Sequence, residues 1–142
     1  LNTGMVDLCK LAQKYYYVDG SDGSSSIKRL LQPTLNASPR LETLYSSPTY
    51  NSANYTNFQW YQLDDDGCAK DPYDILSEVK TSDIAKNVTK GGAAAAAYNT
   101  LQNVALNEAD RKAIEQSLLR YCELDTLAMA MILQGWQGFL NE

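Results

Sequence analysis

The chain has 142 residues, enough for one domain or a large part of one with a core that folds without staples. Its 44% hydrophobic and 20% charged residues are those of an ordinary soluble globular protein, and no apolar run approaches membrane-spanning length. A net charge of −5 does not favour a polyanion partner, and the lack of any histidine excludes imidazole-based hydrolases, so chemistry here must run on carboxylates, tyrosine, lysine or a metal.

Met5, Leu8, Leu11, Ala12, Tyr15 and Tyr16 recur at helical spacing and predict an amphipathic helix over 5–17, with Asp7 as a helix-start residue. A turn rich in Gly and Ser, residues 20–26, follows. Its serines can cap a second, short helix carrying Ile27, Leu30 and Leu31, which Pro33 is expected to end. Residues 33–72 read as a long irregular loop or insertion, docked by Tyr45, Tyr50, Phe58, Trp60 and Tyr61. Asp71 and Pro72 predict the cap and first position of a third helix from Tyr73 to about Val79.

Lys90, Gly91 and Gly92 should break the chain before a helix that starts at Ala93 and runs through Leu101 and Val104. Asn107 caps the last helix, expected from about 108 to 134, with Glu108 and Asp110 in its first turn. No period-two strand stands out. The visible chain is mainly α.

On the last helix Ile114, Leu118, Tyr121, Cys122, Asp125, Met129, Ile132, Leu133 and Trp136 fall on one stripe. Its flanks are apolar too, so the helix is expected to be buried for most of its girth. Asp125 lies mid-stripe, one turn after Tyr121. A carboxylate in such a place must be hydrogen-bonded, paired or bound to a metal. Either it accepts bonds from a neighbouring element and Tyr121 is a core aromatic, or Asp125 is a metal ligand and Tyr121 orients a water.

The segment Tyr121 to Met129 resembles the third exonuclease motif, Tyr-x-x-x-Asp, of the DEDDy branch of DnaQ-like exonucleases. Met5 to Cys9, Gly23 to Leu31, Gly92 to Tyr98 and Tyr121 to Met129 together are similar, in that order, to a bacterial family of unknown function with a DnaQ-like carboxy-terminal domain. Residues 33–72 fall outside the resemblance. It implies that residues 1–142 are the helical carboxy-terminal part of an α/β ribonuclease H-like fold whose sheet lies largely upstream. It also implies phosphodiester hydrolysis of DNA or RNA by two divalent cations, Mg²⁺ or Mn²⁺. Tyr121 would be catalytic and Asp125 a metal ligand. Apart from the resemblance, Lys28 follows a serine-rich turn at a helix start, a place that can receive phosphate and so make a weak nucleic-acid contact, against the simpler reading of a solvated lysine.

The family pattern needs an Asp-x-Glu and a further Asp, and the chain has at most one of the four expected ligands. With Leu1 rather than a methionine at its start, it is expected to begin inside a longer polypeptide and to be inactive alone. Exposed apolar surface where the sheet would pack should favour self-association. The rival reading is a catalytically inactive helical interaction or regulatory module; a second rival is a small-molecule domain using the aromatics of 45–61.

The remaining features take simpler readings. Cys9, Cys68 and Cys122 are far apart and form no CxxC pair, so free, mostly buried thiols in a reducing cytoplasm are expected, without zinc or disulfides. Asp64 to Gly67 reads as a solvated turn rather than a calcium loop. The sequons at Asn36, Asn54 and Asn87 have no secretory context. Lys28-Arg29 and the spread Lys80, Lys86 and Lys90 are the basic clusters.

Overall fold

The computed structural model describes residues 4–48, 50–78 and 91–140. Six helices occur there: α1 (Leu8–Tyr15), α2 (Ile27–Ala37), α3 (Pro39–Tyr45), α4 (Pro72–Glu78), α5 (Gly91–Asn103) and α6 (Glu108–Phe139). Among the described residues β-structure is confined to one isolated bridge, Leu63 to Ala69. The end of the third predicted helix at Val79, the basic set Lys80, Lys86 and Lys90, and the sequon at Asn87 lie outside the described residues.

The helices start where a side chain meets a free backbone donor, as predicted for α4 and α6 and three residues later than predicted for α1. Asp7 accepts from the Lys10 N–H at 3.2 Å, Asp71 from Tyr73 N–H at 2.9 Å, and Asn107 from Asp110 N–H at 2.8 Å. Several boundaries differ: α1 runs Leu8–Tyr15 rather than 5–17, and α6 runs to Phe139, beyond the expected 134. Pro33 sits inside α2 rather than at its end. A mid-helix proline costs about 3 kcal/mol, yet the turn beyond it carries Thr34 and Leu35, both fully buried, and Thr34 Oγ1 donates to the Leu30 carbonyl at 2.6 Å. Burial of that turn outweighs the missing backbone bond. Gly91 and Gly92 likewise lie within α5, not in a break before it.

The 33–72 stretch is less irregular than expected. It completes α2 and then holds α3, whose start is set by Ser38 accepting from Leu41 N–H at 3.4 Å and by Pro39 at the first helical position. The rest docks through aromatics as expected: Trp60 is buried, and the unanticipated Tyr55 joins it with its ring 4.8 Å from that of Trp60, while Tyr45 is buried at the end of α3. Tyr55 donates to the Arg120 carbonyl at 2.8 Å, while Tyr50 and Asn54 bind the Glu123 carboxylate at 2.6 and 2.5 Å. The loop is therefore fastened to α6 over one short stretch.

Helix α6 is the spine against which α2, α3, α4 and α5 pack. Its buried face comprises Ile114, Tyr121, Leu124, Leu127, Ala128, Met131, Ile132, Gly135 and Gly138. The expected stripe was rotated from this, and the helix is not buried for most of its girth. Leu119, Met129 and Leu133 are exposed, because the shorter helices packed against α6 cover only part of its circumference. The buried face runs through Leu124, Leu127 and Met131, which were expected only as flanks, and at its end two glycines admit the Thr34 and Leu41 side chains and the Arg40 stem.

Candidate functional site

Tyr121 and Asp125 do share a face of α6, and each is met there by a side chain from another helix. Tyr73, at the second position of α4, donates its hydroxyl proton to Asp125 Oδ1 at 2.6 Å. Lys28, at the second position of α2, donates to the Tyr121 hydroxyl oxygen. Its ammonium also stands over both phenol rings, 4.5 Å from the centroid of Tyr121 and 5.0 Å from that of Tyr73. The two rings lie 6.2 Å apart and tilted. Three helices thus converge on one polar cluster at the edge of the core.

The burial of these groups is graded. Tyr73 and Tyr121 are buried, whereas Lys28, Asp71 and Asp125 are half-buried. Burial first, and then the Asp125 carboxylate that accepts its proton, push Tyr73 far above the ordinary phenol range, so it is a fixed donor at any ordinary pH. Burial also raises Asp71, against the opposing Tyr73 N–H that its carboxylate accepts. Lys28 and Tyr73 form the clamp around the pair. Tyr73 was read only as the start of a helix; its partner Asp125 is 52 residues away, and spacing along the chain does not reveal such a contact.

Among the described residues no group of three or more His, Cys, Asp or Glu side chains could hold a metal ion. Asp125 offers one carboxylate, and a fixed ammonium stands one phenol away. By themselves these residues do not fit a two-cation centre, which needs several oxygen ligands around each ion.

Other sequence features settle plainly. Asp64 to Gly67 is a turn, with the Asp64 carboxylate accepting from the N–H groups of Asp66 at 3.0 Å and Cys68 at 2.9 Å. The Asn36 amide oxygen is used by Ala69 N–H at 2.7 Å. All three cysteines are free, but all are exposed, contrary to the expected burial. Each lies on a flank turned from the core: Cys9 on α1, Cys122 on the outer side of α6, and Cys68 in the turn. Among the described residues no helix is long and apolar enough to cross a membrane. Open apolar grooves do exist beside α1, one of about 270 Å³ lined by Leu8, Ala12, Leu30, Met129, Ile132 and Trp136 among others.

The fold and site define a helical assembly around one long helix with a Lys–Tyr–Tyr–Asp cluster. No protein-family model, no curated protein and no solved structure matches the chain.

Proposed function

We propose that this chain is the helical part of a metal-dependent phosphodiesterase domain of DEDDy exonuclease type, with Asp125 as one of its acidic ligands and Tyr121 as the hydroxyl that orients the attacking water. The observation that carries the reading is the convergence of Tyr121 and Asp125 on one face of α6, with each held by a side chain from another helix. Such bracing is what a group needs when its geometry must be kept within a fraction of an ångström. The helical content and absence of a sheet among the described residues agree with the carboxy-terminal portion of an α/β ribonuclease H-like fold. The other carboxylates of the centre, and the sheet that carries them, would come from further residues of a longer polypeptide. Mg²⁺ or Mn²⁺ would be the ions, DNA or RNA the substrate, and the cytoplasm the setting.

One observation favours the second reading, a catalytically inactive interaction module. The cluster satisfies itself: Lys28 answers Tyr121, and Tyr73 answers Asp125. The two readings separate in the full-length polypeptide, assayed on single-stranded oligonucleotides with Mg²⁺ or Mn²⁺. Asp125→Asn should abolish hydrolysis with the fold retained, and Tyr121→Phe should lower kcat on the order of 10²-fold. The isolated 142 residues should be inert. An Asp125→Asn protein that cleaves at the parental rate would leave the inactive module as the better account.

A further inference from the structure

Helix α6 carries a second apolar face. Its exposed charges, Glu108, Arg111, Lys112 and Glu115, all lie before residue 116. From Gln116 to the end of the helix every exposed side chain is apolar, small or an amide, and none is charged. The charged residues of that span are held inward: Arg120 donates to the Asn54 carbonyl at 3.2 Å, Glu123 accepts from Tyr50 and Asn54, and Asp125 accepts from Tyr73. A surface helix ordinarily sets its charges opposite its core face. At about 100° per residue, Leu119, Thr126 and Leu133 stand opposite the buried Leu124 and Met131 instead. With Leu119, Met129 and Leu133 exposed by 57, 45 and 41%, that side has the composition of an interface core, depleted of charge and holding methionine.

We infer that a second copy of the chain packs on this face, its α6 antiparallel to the first about a two-fold axis at Thr126. Charge selects the occupant. Chains of net charge −5 repel one another, and an uncharged face lets a copy approach without like-charge contact, whereas a charged partner finds nothing there to pair with. Side-chain order selects the geometry. Leu119 and Leu133 each stand seven residues from Thr126, and Cys122 and Ala130 each four, so the face reads large, small, small, small, large in either direction. A two-fold contact needs such self-complementarity. Each Leu119 meets Leu133 of the second copy, and each Cys122 meets Ala130. Thr126 fits on the axis because its hydroxyl already donates to the Cys122 carbonyl at 3.2 Å.

One helix is narrow for a stable pair, which buries about 800 Å² per partner. Two grooves widen the face along one flank: one of about 430 Å³ beside α5 with Tyr98 and Leu118, and one of about 270 Å³ beside α1 with Leu8, Met129 and Ile132. The two-fold axis sets the α5 groove of one copy, with its exposed Tyr98, against the α1 groove of the other.

The test is the mass of the 142-residue chain by sedimentation across a range of concentration, with circular dichroism as the control for folding. Pairing predicts a reversible dimer. Leu119→Glu and Leu133→Lys should each weaken it by about 30-fold or more with helicity retained, since both side chains are exposed in the single copy. Combined in one chain they should restore it, because antiparallel packing sets each Glu against a Lys of the other copy. Oxidation reads the register independently. About 12 Å along the axis separates the two copies of Cys122, beyond the roughly 7 Å between Cα atoms that a disulfide spans. A Cys9→Ser, Cys68→Ser chain should therefore stay unlinked on oxidation, and adding Thr126→Cys should link it. Cys122 remains titratable through the dissociated chain and reacts more slowly as concentration rises. A chain that stays monomeric at high concentration overturns the pairing and leaves the face to another segment of a longer polypeptide. A dimer indifferent to both single substitutions overturns its placement on this face, and a double variant that stays monomeric overturns the antiparallel register. None of these outcomes depends on chemistry at Tyr121 and Asp125.

Discussion

Replacing Gly135 with alanine should destabilise the protein, although the same change in an unpacked helix would stabilise it. Glycine is about 0.8–1.0 kcal/mol less favourable than alanine in a helix interior. Here, however, a Cβ on residue 135 would stand 2.8 Å from Thr34 Cγ2 and 3.2 Å from Leu41 Cδ1. Carbon atoms pack best near 3.5–4.0 Å, so the first contact is well inside the repulsive range. Neither neighbour yields readily. Both are fully buried, and Thr34 can turn its methyl away only by giving up the 2.6 Å bond from its hydroxyl to the Leu30 carbonyl.

Overpacking of this kind costs about 1–3 kcal/mol, and a lost neutral hydrogen bond adds about 1. After the helix gain is subtracted, Gly135→Ala should cost on the order of 1–3 kcal/mol, a fall in Tm of about 3–10 °C for a domain of this size. Thermal unfolding followed by circular dichroism reads this directly. The companion Thr34→Ser removes the offending methyl and keeps the hydroxyl, so the double variant should recover most of the loss, a coupling of about 1 kcal/mol. A Gly135→Ala protein that melts above the parent would refute the close approach of α6 to α2 and α3, and with it the placement of Lys28 against Tyr121.

Two further outcomes follow from groups outside the cluster. Burial raises the Glu123 carboxyl, but hydrogen bonds from Ser52, Tyr50 and Asn54 more than offset it and hold the group below its usual range. A lowered carboxyl contributes stability that is present above its unfolded value and lost as pH falls through the folded one. The Tm difference between the parent and Glu123→Gln should thus be constant near neutrality and shrink below about pH 5. Asp71, raised by burial, has the opposite sign in that region, which is why the difference and not the parent curve is the observable; a difference independent of pH would contradict the Glu123 fastening. Second, Cys9, Cys68 and Cys122 are exposed, so Ellman's reagent should titrate all three in the folded chain, and a thiol that reacts only on denaturation would contradict its position.

What could be read from the sequence was what depends on neighbours along the chain. Asp71 with Pro72, and Asn107, satisfy donors two or three residues on, and their helices begin where those residues say, whereas α1 starts at Leu8 behind its Asp7 cap, three residues past the expected start. The shared face of Tyr121 and Asp125 is likewise a consequence of 3.6 residues per turn. The errors arise where tertiary contact overrides a local rule. Pro33 stays helical because the turn beyond it is buried, and Gly135 marks the closest packing because it has no side chain. The apolar stripe on α6 was misplaced because both flanks of that helix are apolar, so periodicity alone did not choose between the expected stripe and the buried face through Leu124, Leu127 and Met131.

The cluster shows the same division more sharply. That Asp125 needed a partner followed from a carboxylate amid apolar residues, since leaving such a group unanswered costs more than any helix propensity can return. Which partner it found did not follow, because Tyr73 and Lys28 lie 52 and 93 residues from the groups they hold. A local signal for Tyr73 did exist. Asp71 and Pro72 fix the first turn of α4, and the buried Tyr73 and Ile75 within it are the residues that press the helix against the core. A phenol so held, with its hydroxyl inside the protein, must also find an acceptor. The unanswered donor and the unanswered carboxylate are complementary needs, and matching such needs across elements extracts long-range contacts that periodicity cannot.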